Sequence, residues 1–139
     1  MVRQTIAIRG QPRDGYPAIP ISEVVVDIFN EEQLSQHFLC EINALGQVPV
    51  LESKWLEKPI ADSVDITHFL AERYPSLIPV SHNEQITKLL NDLHALNYFS
   101  LSFSGREYVA EGLKQSVIKR LAGEVSPRYR DALTFKLGV

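Results

Sequence analysis

The sequence predicts an α/β unit followed by an all-helical stretch. Between Glu23 and Tyr74, short apolar runs of strand type alternate with segments of helical period. Beyond Pro79 the apolar residues keep helical spacing only. The chain has 139 residues, 45% of them hydrophobic, and a formal net charge of -3, which is enough for a core and ordinary for a globular protein.

The elements follow in order. Arg3–Arg9, "RQTIAIR", can serve as a first strand, and Gly10 to Pro20 then forms a loop rich in glycine and proline. "EVVVDIF", from Glu23, is β-branched, apolar and short, and reads as a strand. Asn30 can cap a helix through "EEQLSQHFLCEI", with Glu31 and Glu32 in the favoured first turn and Leu34, Phe38, Leu39 and Ile42 at helical spacing. Gly46 marks its stop. "QVPVLE" and "KWLEKPI" are two short strands that can pair as a hairpin through Ser53 and Lys54. Pro49 sits inside the first of them, where it cannot donate a ladder hydrogen bond. It therefore signals an edge, a bulge or a cis bond. Asp62 or Ser63 caps the next helix, with Ile66, Phe69, Leu70 and Tyr74 on one face and Pro75 closing it.

The break lies in "YPSLIPV", Tyr74 to Val80. "SHNE", Ser81 to Glu84, matches a capping box, and Ile86, Leu89, Leu90, Leu93 and Leu96 form an apolar stripe behind it. A further helix is predicted over Glu107 to Leu121, and another from "SPRYRDAL", with Ser126 as cap and Pro127 in the first turn. The predicted organisation is residues 1–75, a linker at 76–80 and a helical part at 81–139.

Composition narrows the function classes. No window approaches the roughly 18 apolar residues of a membrane span, and the amino terminus carries no secretory pattern. A single cysteine, Cys40, excludes an internal disulfide and fits a reducing, cytoplasmic setting, where it reads as a small packed residue. The slightly acidic balance gives no support for nucleic-acid binding. His37, His68, His82 and His94 lack metal-ligand spacing, so no metal is expected. Lys114, Lys119, Arg120, Arg128 and Arg130 alternate with Glu111, Glu124 and Asp131, the pattern of a solvated helix surface. Trp55 reads as core or interface.

The run "FLCEINALGQVPVLES…PIADSVDITHFLAERYPSL" resembles the thioredoxin-like amino-terminal domain of glutathione S-transferases. The shared pattern is Asn-x-x-Gly-x-Val-Pro-x-Leu, a hairpin, and an acidic residue followed by Ser opening a helix that ends in Tyr-Pro. "LHALNYFSLSF" and "SPRYRDALTFKLGV" resemble pieces of the all-helical second domain of fungal members, so the likeness runs from about Ser22 to the end. It implies an α/β thioredoxin-like domain followed by a partial all-α domain. It also implies a cytoplasmic, dimeric transferase that conjugates glutathione, its co-substrate, to a hydrophobic electrophile in detoxification or secondary metabolism. A cis Val48–Pro49 bond would present Val48 to the cysteinyl part of glutathione as an added strand does. Ser63 would hold the γ-glutamyl carboxylate at a helix amino terminus, and Asp62 would meet the ammonium. Plain capping is the alternative role for Asp62 and Ser63.

The departures from the family matter as much. Catalytic members favour the glutathione thiolate with a Tyr, Ser or Cys at the start of their first helix. Residues 1–21 are atypical here: the first helix is missing, and Tyr16 and Ser22 are the only hydroxyls positioned to substitute. No catalytic residue carries over. About 60 residues follow Val80, roughly half the family's helical domain, so the chain looks like a member shortened at both ends. The competing expectation is a non-catalytic binding or dimerising module, as in some translation factors.

Overall fold

Most of Arg3–Arg9, expected to be a strand, lies in an α-helix, Val2–Ile8 (α1), in the computed structural model, which describes residues 1–96 and 107–139. Helical winding sets Val2 and Ile6 against a core and buries Thr5 beside Thr67, with the two hydroxyl oxygens 3.4 Å apart. A strand would have split these residues between two faces. The described residues pack as two units: Met1–Val24 with Pro49–Leu96, and Val25–Val48 with the residues from 107 onward.

In the first unit, β1 (Val50–Leu51) pairs antiparallel with β2 (Ile60–Ala61), in the register Val50 to Ala61 and Leu51 to Ile60. The connection is wider than the expected Ser53–Lys54 turn. Its Trp55 is exposed with the Lys54 ammonium 4.6 Å from the ring centroid, so the core reading of Trp55 is corrected. β2 runs straight into α2 (Ser63–Arg73). As its period predicts, Ile66, Leu70 and Tyr74 are buried at helical spacing, and Phe69, Leu51, Ile60, Ile21 and Leu77 pack around them. The Tyr74 hydroxyl leaves this cluster to accept from the Ile19 amide at 3.2 Å, tying the proline-rich loop down. A 3₁₀ turn, Val80–His82, precedes α3 (Asn83–His94). Ser81 lies inside that turn and His82 takes the cap position without a side-chain bond, so the expected capping box does not form. No residue of α3 is buried, and Leu89, Leu93 and Leu96 of its stripe are exposed.

In the second unit, the expected strand "EVVVDIF" and the helix after it are both replaced. Asp27 Oδ1 accepts from the amides of Phe29 (2.9 Å) and Asn30 (3.1 Å), while Asn30 Nδ2 donates to Asp27 Oδ2 at 2.8 Å. These bonds take the backbone donors that a ladder would need, the usual competition between an acidic side chain and regular structure. Asn30 is thereby spent and caps nothing. Glu31 turns left-handed (φ 58°) before a 3₁₀ turn, Glu32–Leu34, and Ser35 is extended. Ser35 Oγ then accepts from the Phe38 amide (3.2 Å) to start a π-helical turn, Phe38–Ile42. Most of the predicted inward set survives the change of winding: Leu34, Phe38 and Leu39 are buried, and Ile42 is half-buried. Against them pack α4 (Glu107–Leu121) and α5 (Pro127–Leu137), which contribute Val117, Tyr129 and Leu133. Cys40 is half-buried at the edge of this cluster. α5 opens as predicted, with Ser126 Oγ accepting from the Tyr129 amide at 3.3 Å. The chain is therefore mixed α/β, mostly helical with a small antiparallel sheet. No helix among the described residues is long and apolar enough to cross a membrane.

Candidate functional site

The chain leaves β2 at Ala61 and is helical by Ser63, so Asp62 alone makes the turn. It does so at φ 99°, ψ 130°, a conformation that non-glycine residues avoid, at a cost of about 1–3 kcal/mol. Its own carboxylate offsets part of that cost. Oδ1 accepts from the Val64 amide at 2.7 Å and from the Asp65 amide at 3.4 Å, satisfying two of the unpaired donors of the first turn. The Ser63 amide is another donor of that turn, and the positive end of the helix dipole lies there.

The register brings a third residue to this place. Pro49 immediately precedes β1 and Asp62 immediately follows β2, so the two bracket the Val50–Ala61 pair. Pro49, Asp62 and Ser63 thus stand at the end of the hairpin that enters α2. Val48 belongs to the other packing unit, where its side chain is exposed.

One neighbour of the site lay beyond sequence reading. His94, in the last turn of α3, brings Nδ1 to 3.3 Å from Asp62 Oδ2. The two residues are far apart in sequence and share no motif; only the return of α3 toward α2 joins them. Tyr16, considered as a thiol-activating hydroxyl, instead carries the Arg73 guanidinium 5.2 Å above its ring. Ser22 is exposed.

A second polar cluster lies in the other unit. The Glu31 carboxylate accepts from the Ser116 hydroxyl and from Arg120 Nη2 (3.2 Å), and Arg120 Nη1 reaches the Tyr129 hydroxyl at 3.4 Å. The Ser116 bond, followed by Arg120 and against a desolvation cost, holds the Glu31 carboxyl below the usual glutamate range. Arg128 pairs with Glu41 at 2.5 Å. Two members of the predicted solvated basic surface are therefore committed to ion pairs. This cluster joins turn to helix through its own hydrogen bonds and ion pairs. Among the described residues, no group of three or more His, Cys, Asp or Glu side chains gathers as a metal site.

A scan against protein-family models, a search of curated proteins and a search of solved structures each returned no match.

Proposed function

We propose that the chain is a glutathione-transferase-like protein with a thioredoxin-like amino-terminal part, in which Pro49, Asp62 and Ser63, with Val48, bind glutathione. The observation that carries the reading is the junction itself: a proline-led hairpin feeding a helix whose first residues are Asp62 and Ser63. A zwitterionic amino-acid head suits such a place, its carboxylate on the N–H groups and hydroxyl of the helix start and its ammonium on Asp62. The reaction would be attack of the glutathione thiolate on a hydrophobic electrophile, as in cytoplasmic detoxification or secondary-metabolite tailoring, by a homodimer. The finding that favours the second reading, a non-catalytic binding or dimerising module, is α1. A helix stands where the family's first strand would lead to its thiol-activating residue.

Calorimetry with reduced glutathione tests the binding half. The wild type is expected to bind, and Ser63→Ala to bind more weakly by about 1–3 kcal/mol through loss of a bond to a charged group. Equal affinities would reduce Ser63 to a helix-start residue. Conjugation of a chromogenic electrophile above the uncatalysed rate separates the transferase from the module.

A further inference from the structure

We infer that His94 regulates access to the Asp62 carboxylate, holding it in a pH-dependent contact that a ligand ammonium must displace; this rests on the reading of Asp62 and Ser63 as glutathione-binding residues. The Asp62 carboxylate is divided between two tasks. Oδ1 is spent on the Val64 and Asp65 amides, so Oδ2 is the oxygen left for a ligand, and His94 Nδ1 stands 3.3 Å from it. The contact is open to solvent, with the His94 side chain 58% exposed and that of Asp62 36%, so both a proton and a ligand can reach it.

The charge state of the ring decides what the contact does. A neutral imidazole can offer Asp62 one hydrogen bond through Nδ1–H. An imidazolium adds full charge, binds the carboxylate more tightly and repels an arriving ammonium. Imidazole is the side chain whose charge changes between about pH 5 and 8, so competition at Oδ2 strengthens as pH falls. Among the described residues, Asp62 is the charged group in contact with His94. The other titratable groups of the two helices are Asp65, His68, Glu72 and Arg73 on α2, and Glu84, Lys88 and Asp92 on α3. Of these, Lys88 and Asp92 are paired with each other at 2.5 Å.

Calorimetric titration of the full chain with reduced glutathione from about pH 5 to 8 tests the inference. Wild-type affinity is expected to rise about fivefold across that interval, the scale of a good exposed ion pair, while His94→Gln keeps the higher affinity throughout. The ring-proton resonances of His94 give a second readout that needs no variant: saturating glutathione should shift them at fixed pH by taking Asp62 away. The same pH profile in wild type and His94→Gln, or ring resonances unmoved by the ligand, overturns the role of His94 and leaves glutathione binding itself intact. No binding by either protein at any pH overturns the glutathione reading and this inference with it.

Discussion

Glu31 and Asp62 both hold positive φ without being glycine, and in each case side-chain bonds compensate. Asp62 caps the helix it starts; Glu31 is held by Ser116 and Arg120. Because the folded-state pKa of Glu31 lies below its unfolded value, the folded chain binds fewer protons there. Its contribution is present above the unfolded value and is lost as pH falls through the folded one. Between neutral pH and the acid side of 4.5, wild type should lose more stability than Glu31→Gln, which has no carboxylate to protonate. Denaturant midpoints measured at both ends of the window check this, and parallel losses would mean the pair adds nothing through charge. The glycine that the sequence marks as a stop has a sharper requirement. Gly46 sits at φ +59°, and a Cβ there would lie 3.2 Å from both the Gln33 carbonyl oxygen and Leu39 Cδ2. Backbone strain alone makes Gly46→Ala cost about 1–2 kcal/mol, with the contacts adding to it. A thermal midpoint equal to wild type would show that the turn relaxes instead.

At the scale of elements, Tyr129 joins α5 to the 3₁₀ turn. Its hydroxyl donates to the Leu34 carbonyl at 2.5 Å inside the second unit's core and accepts from Arg120. Tyr129→Phe keeps the ring but leaves a buried carbonyl without its partner, at about 1–3 kcal/mol. Chemical denaturation should register that loss with little change in far-ultraviolet circular dichroism, since α4 and α5 keep their own backbone bonds; unaltered stability would mean water replaces the hydroxyl. The elements legible in the sequence were those whose signals are local. α2 and α5 carry their own caps, Asp62 and Ser126, an apolar face at helical period, and a proline that closes or opens them. The hairpin was visible as two short β-type runs. α1 and "EVVVDIF" were misread because β-branched residues state a preference that neighbours decide. Val2, Thr5 and Ile6 turn inward together only as a helix, and Asp27 takes the Phe29 amide at the end of the other segment. The candidate junction was legible to the same extent: Pro49, Asp62 and Ser63 stand in recognisable local patterns, and Asp62 caps α2 as its position suggests. His94 does not, because its contact with Asp62 exists only once α3 has returned to α2.

For the molecule as a whole, the open question of α3 is what its apolar stripe faces. Ile86 and Leu90 are half-buried, while Leu89 is 60%, Leu93 37% and Leu96 48% exposed. The first unit's core is built from α1, α2 and the hairpin, and takes no residue from α3. A row of leucines left on one helix face is covered most readily by the same row of a second copy around a two-fold axis, where each stripe meets its own complement. Charge does not oppose this, since Lys88 and Asp92 lie together on the polar side of the helix and are already paired with each other. A homodimer through α3 therefore belongs with the proposed function, and its test is separable from folding. Leu93 lies outside the core, so Leu93→Glu should leave the far-ultraviolet spectrum and the thermal midpoint of the dilute protein near wild type. In a dimer the same change buries an unpaired carboxylate, a cost of several kcal/mol, and each 1.4 kcal/mol weakens association about tenfold. Sedimentation velocity should thus show wild type as a dimer at concentrations where Leu93→Glu runs as a folded monomer. Two folded monomers with the same concentration dependence would mean that the stripe stays uncovered and that association is not part of how this chain works.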